Sequence, residues 1–128
     1  MKQIDFSFFD KIFEYKKRFP EKSYGEIDVM LFLEEHDIKY IDEYPITFRG
    51  YNMRVDFYLP DFNTMVEYNG IQHYEPVYKF GGVMAFHSQQ KRDARLRTYC
   101  EQNNITLIEI PYNHCISNIL CENLNIKN

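Results

Sequence analysis

The chain has 128 residues, 45% hydrophobic and 27% charged, which suits one domain with its own core and not a disordered segment. No apolar run has the length of a membrane span, and Asp5, Asp10 and Glu14 interrupt the stretch that a signal peptide keeps apolar. Three cysteines, Cys100, Cys115 and Cys121, with no Cys-x-x-Cys pair, argue against a disulfide framework, so a reduced, cytoplasmic protein is expected. The net charge of -4 is unevenly distributed: residues 1–78 carry -6, residues 79–100 carry +4 and residues 101–128 carry -2. An acidic body with one basic segment is unlike a nucleic-acid coat protein, but it suits carboxylates gathered for a metal and cations kept for phosphate. Neither a Gly-x-x-x-x-Gly-Lys loop nor a Gly-x-Gly-x-x-Gly turn is present, which disfavours nucleotide-cofactor chemistry.

In chain order, residues 5–18 carry Phe6, Phe9, Ile12 and Phe13 at helical spacing, with Lys16-Lys17-Arg18 at the end where the helix dipole favours cations. Pro20 ends this helix. Ser23-Tyr24-Gly25-Glu26 has the form of a capping box and opens a second helix, running to His36-Asp37. Three extended runs follow, Tyr40–Phe48, Met53–Leu59 and Thr64–Tyr68, parted by short turn-rich segments that predict an antiparallel meander. Residues 71–87 read as loop, Ser88 to Gln102 as a helix, Ile105–Ile110 as a short strand, and Cys115–Leu124 as a closing helix. The expected class is α/β: helix, three-strand antiparallel meander, helix, strand, with an extra helix at each end. A helical crossover makes the last strand parallel to its neighbour.

Two strand residues stand out. Asp56 lies within Arg54-Val55-Asp56-Phe57-Tyr58-Leu59, and Glu67 within Met65-Val66-Glu67-Tyr68-Asn69-Gly70. A carboxylate in such a run is a poor choice for a sheet unless it has a partner. Either one alone reads as a solvent-facing residue with Arg49 or Arg54 nearby. Both together, on adjacent strands with Gln72-His73 following, suggest converging oxygen ligands of the kind Mg²⁺ prefers. On the basic segment, Asp93 and Arg97 have the spacing of a helical ion pair. Tyr74 and Tyr78 are candidates for stacking on bases. His114 with Cys115 and Cys121 fits no common zinc spacing.

Ser23-x-Gly25-Glu26, Asp56-Phe57-x-Leu59-Pro60 and Val66-Glu67-Tyr68-Asn69-Gly70-Ile71-Gln72-His73-Tyr74 resemble a compact branch of the PD-(D/E)XK nucleases, the restriction-endonuclease-like fold of phage-type and homing-type endonucleases. The resemblance continues through Arg92-Asp93, Tyr99-Cys100 and Leu107–Tyr112, spanning residues 23 to 112. It implies a metal-dependent phosphodiester hydrolase, foremost a DNA endonuclease. Asp56, Glu67 and the Tyr68 carbonyl would be ligands of Mg²⁺, with Mn²⁺ as substitute, and Glu26 an outer or second-metal carboxylate. Gln72 and His73 would act beside them. Lys91, Arg92, Arg95 and Arg97 would meet the phosphate backbone, and a homodimer or a protein partner is compatible with the chain. The family's motif lysine is missing: Asn69 stands two residues after Glu67, and Leu96 three after Asp93. That departure supports the alternative, a catalytically weak or inactive nuclease-fold binding or inhibitor module of phage type.

Overall fold

Local rules account for most of the elements in a computed structural model that describes residues 7–127; Asp5 and Phe6, assigned above to the first helix, lie outside those residues. Helix α1 spans Ser7–Arg18, with Asp10 in its first turn and three basic residues in its last. Helix α2 spans Tyr24–Glu35. The Ser23 Oγ accepts the Glu26 N–H at 3.1 Å, the N-cap half of the expected capping box, and the Glu26 carboxylate accepts from the Ser23 hydroxyl at 3.1 Å. Ile27 and the run Val29–Leu33 are buried, which makes α2 apolar on most of its circumference and places it inside the molecule.

Strands β1 (Ile41–Phe48) and β2 (Tyr51–Leu59) form a hairpin. Its turn is Arg49-Gly50, both with positive φ (51° and 83°), as a two-residue loop needs to match strand twist. Strand β3 is Thr64–Asn69, and β4 is Thr106–Pro111. The sheet order is β1-β2-β3-β4, antiparallel except for the parallel pair β3/β4. Helix α3 (Gly82–Gln102) makes that crossover, and α4 (Ile116–Leu124) closes the chain. The protein is therefore a mixed α/β structure with a four-stranded sheet and four helices among the described residues.

Strand β2 begins at Tyr51 rather than Met53, and a second boundary departs further from expectation. Helix α3 begins at Gly82 rather than Ser88, and single-turn helices at Ile71–His73 and Tyr78–Phe80 occupy the segment read as loop. Gly81 has φ 98° and Gly82 φ 66°, so the glycine pair turns the chain into the helix. The first turn of α3 exposes Val83 and Met84 and so carries no buried stripe for a sequence reading to detect. No helix among the described residues is long and apolar enough to cross a membrane.

The sheet has a helix layer on each side. Val29, Leu33, Phe57, Val66, Ile108, Ile110 and Leu120 form one core with α2 and α4. Ile46, Met53, Val55, Met65, Leu96 and Cys100 form the other, under α3. Val55 and Phe57, two apart on one strand, belong to opposite cores. Alternation in a regular strand would put them on the same face. The reversal falls at Asp56, where β1 contributes Glu43 with φ 50° between the paired positions Asp42↔Phe57 and Tyr44↔Val55. Here β2 also leaves β3, because their pairing ends at Phe57↔Val66.

Gly25 joins α2 to this region. A Cβ at Gly25 would stand 2.1 Å from the Tyr68 ring, so the ring rests directly on the helix backbone. Gly25→Ala should gain about 1 kcal/mol in helix propensity and lose more to overpacking, for a net loss of roughly 1–2 kcal/mol. A thermal melt should show a lower Tm, recovered by adding Tyr68→Leu; an unchanged Tm in Gly25→Ala would refute the contact.

Candidate functional site

Asp56 and Glu67 meet where the β2–β3 ladder ends. Continuing the Phe57↔Val66 register sets Asp56 beside Glu67. In place of a backbone partner, the Tyr68 N–H donates to Asp56 Oδ2 at 2.8 Å. The N–H and C=O of one residue in an extended strand project to the same side, so the Tyr68 carbonyl also faces β2. The next residue faces the other way: Asn69 accepts from the Tyr112 N–H at 2.8 Å. Carboxylate, carbonyl and carboxylate thus lie together where the two strands part.

The acidic group extends beyond this pair. Oxygens of Glu26 from α2, Glu43 from β1 and Asp56 all lie within 4.8 Å of one another, a spacing that one cation could bridge. Burial, followed by the charge of Glu26, pushes the Asp56 carboxyl up to about 6. Burial and the neighbouring Asp56 raise Glu67 well above the usual carboxylate range. Glu43 is a residue that the sequence reading missed. The rule that singled out Asp56 and Glu67, a carboxylate within an apolar strand, applies equally to Asp42-Glu43 in β1.

Cations enter from two sides. Arg92 of α3 donates to Glu67 Oε1 at 2.8 Å and to the Arg54 carbonyl at 2.6 Å, with Asp93 Oδ1 at 3.4 Å. Opposite it, the Lys22 ammonium lies 3.2 Å from Asp42 and 3.4 Å from Glu43. The positions where the motif lysine was sought are closed: Asn69 is 3% and Leu96 1% exposed.

His73 follows β3 on its single-turn helix. Its Nδ1 lies 2.9 Å from Asp93 Oδ2, and Gln89 Nε2 donates to Asp93 Oδ1 at 2.8 Å. Both members of the His73–Asp93 pair are buried. Burial opposes the Asp93 charge, but the bonds from His73 and Gln89 outweigh it and hold the carboxyl below its ordinary value. The expected Asp93–Arg97 pair is replaced. Arg97 instead makes two bonds to Glu109 of β4, at 3.0 and 2.9 Å, because α3 turns Asp93 inward and Arg97 toward the parallel strand.

The other sequence-selected residues are dispersed. Gln72 folds back on Gly70, its Oε1 2.5 Å from where a Cβ there would stand, and lines a cavity of about 70 Å³ with Gln89. The Arg95 guanidinium stacks 3.9 Å from the Tyr51 ring centre, its Nε buried without a partner. Lys91 is exposed. Tyr78 is 97% exposed, while Tyr74 sits 6.0 Å from the Tyr112 ring.

No family model matches the chain, and no solved structure matches it. Among curated proteins, the chain is 46% identical over 64 residues to the uncharacterized protein 307L of Invertebrate iridescent virus 6, covering 49% of this chain and 32% of that protein. It is 40% identical over 65 residues to the uncharacterized protein 094L of Frog virus 3 (isolate Goorha), covering 49% and 42%. To the uncharacterized protein 033L of Invertebrate iridescent virus 3 it is 40% identical over 76 residues, covering 59% and 38%. The matched regions are thus only a third to two-fifths of the relatives' length.

The raised Asp56 carboxyl has a thermodynamic consequence. Its folded-state value of about 6 lies above the ordinary 3.8, so between those pH values the folded protein binds more protons than the unfolded chain. Stability contributed at this residue therefore falls as pH rises through that window and stays lowered above it. Asp56→Asn, which keeps an oxygen for the Tyr68 N–H, should stabilise the protein at pH 7.5 by on the order of 1–3 kcal/mol. The gain should vanish near pH 4, and urea unfolding at the two pH values checks both parts.

Proposed function

We propose that this chain is a metal-dependent nuclease with a restriction-endonuclease-like core, hydrolysing phosphodiester bonds of DNA. The observation that carries the reading is the grouping of Asp56 with Glu26 and Glu43, with Glu67 beside Asp56 on the neighbouring strand and His73, on the element that follows β3, bonded to Asp93 of α3. The motif resemblance names Glu26, Asp56, Glu67 and His73 in the same order; Glu43 lies outside it.

The donor set suits the proposed ion. It consists of carboxylate oxygens and a backbone carbonyl, the hard ligands of Mg²⁺ or Mn²⁺. The raised Asp56 and Glu67 carboxyls mark a place where a cation would relieve charge crowding. Asp56, with Glu67 and the Tyr68 carbonyl, would hold the ion; Glu26 and Glu43 border the same position. A divalent ion bound there supplies Lewis acidity and lowers the pKa of bound water.

Three protein groups would act around it. With Nδ1 committed to Asp93, His73 has Nε2 left to take or give a proton. Arg92, already at Glu67, is the cation best placed to stabilise charge on a phosphate. Lys91 and Arg95 of α3 would track the nucleic-acid backbone.

On this reading Asp56→Ala and Glu67→Ala should each abolish Mn²⁺-dependent cleavage of plasmid and single-stranded DNA while leaving the fold intact. His73→Ala should lower the rate by about 10²–10⁴-fold. Wild type and Glu67→Ala assayed side by side, with an EDTA control, decide the matter: equal cleavage by both sinks the site.

Two observations favour a second reading. Arg92 sits on Glu67 as a ready-made counter-ion and the motif lysine is absent, as in a binding or inhibitor module that has lost catalysis. Wild type that cleaves nothing in Mg²⁺ or Mn²⁺ yet binds DNA or a protein partner would establish that alternative.

DNA affinity should fall steeply with salt. Lys91→Ala and Arg95→Ala should each reduce the salt slope by about one, alike on all sequences. Arg97→Ala should do less, since its guanidinium is already committed to Glu109. Fluorescence anisotropy over a salt series reads all three.

A further inference from the structure

Lys22 is one of the largest fully buried side chains among the described residues, 2% exposed. Lysine is almost never buried to that degree without partners, because a desolvated ammonium is costly. Its partners are Asp42 and Glu43, consecutive residues of β1, with its Nζ also 5.7 Å from the Phe57 ring centre. Burial opposes the Lys22 charge, but those carboxylates, with Glu26 more distant, outweigh it and keep the group cationic.

The backbone of Lys22 is fixed at the other end. Its N–H donates to the Phe19 carbonyl at 3.1 Å, and its carbonyl accepts from Lys16 Nζ at 2.5 Å. The next residue, Ser23, caps α2 and bonds Glu26. Lys22 therefore links the start of the helix that carries Glu26 to the strand that carries Glu43.

Glu43 is the residue that needs such a link. Its φ of 50° is a backbone state that glutamate seldom adopts unless its surroundings impose it. A carboxylate has two oxygens, so Glu43 can keep Lys22 on Oε1 and still offer Oε2 to the acidic group.

We propose that Lys22 is a positioning residue, a buried ammonium that ties the α2 N-terminus to β1 and holds the Glu43 carboxylate beside Glu26 and Asp56. Its consequence for metal binding rests on the metal-site reading above; its consequence for the place of Glu43 does not.

The sign of the effect separates positioning from simple electrostatics. Removing a cation near a cation site should tighten metal binding by Coulomb's law. Removing a positioning residue should weaken it, by about 10-fold or more where ligand-supporting contacts are lost. Isothermal titration of the full chain with Mn²⁺ should therefore give a Kd raised at least about 10-fold for Lys22→Met. Lys22→Arg, which keeps charge and reach, should stay near wild type. Unchanged or tighter binding by folded Lys22→Met overturns the proposal.

Asp42→Asn keeps the test open if Lys22→Met does not fold. It retains the Lys22–Glu43 link, so Mn²⁺ affinity should remain near wild type, whereas a loss as large as 10-fold would overturn the proposal. If the wild type itself binds no Mn²⁺, the metal reading fails, and the metal-free crystal structure of Lys22→Met decides the rest. Glu43 displaced from Asp56 and Glu26 sustains the positioning role; Glu43 unmoved, with φ still near 50°, ends it.

Discussion

The Tyr68 N–H to Asp56 Oδ2 bond is the contact on which the site's arrangement depends. It replaces a rung of the β2–β3 ladder with a side-chain bond, so the two strands can part without leaving a buried amide unsatisfied. That parting leaves the carbonyl edge of Tyr68 facing β2. It also coincides with the reversal of β2 between the two cores, from Val55 on one side to Phe57 on the other. A single local exchange thus accompanies the end of the β2–β3 pairing and gathers oxygen atoms there.

Such a grouping concentrates negative charge, and the fold balances it from different elements. Arg92 of α3 reaches Glu67, while Lys22 of the α1–α2 connection reaches Glu43. Neither cation comes from the strands that carry the carboxylates. Helices on opposite faces of the sheet are therefore linked through neighbouring carboxylates, by ion pairs in which one partner is buried and one partly exposed. The raised Asp56 and Glu67 carboxyls indicate that this balance is incomplete.

Helix α3 combines functions that composition alone would treat as one. Its cluster of positive charge suggests a uniform phosphate-binding face. In the fold, Arg92 serves Glu67, Arg97 fastens the helix to Glu109 of β4, and Arg95 stacks on Tyr51 of the hairpin. Leu96 and Cys100 from the same helix fill the core beneath. Two of those arginines thus begin with intramolecular ion pairs, and any contact with phosphate must compete with them.

By itself the sequence determined the order and type of the main elements, because period, capping and turn chemistry act over a few residues. Ser23 and Glu26 announced the start of α2, and the apolar runs announced the strands. The anomaly of a carboxylate in a strand was legible too, which is why Asp56 and Glu67 could be named beforehand. The early start of α3 was not, since an exposed first turn leaves no apolar pattern. Only the tertiary structure decided the companions. Glu43 joins Asp56 through strand register, Asp93 turns to His73 rather than Arg97, and Lys22 is buried by elements distant in sequence. Even Gly25, which reads as part of a cap, owes its smallness to the ring of Tyr68. Pairings of this kind are set by which surfaces pack together, and a long-range contact leaves no local signature in the residues that make it.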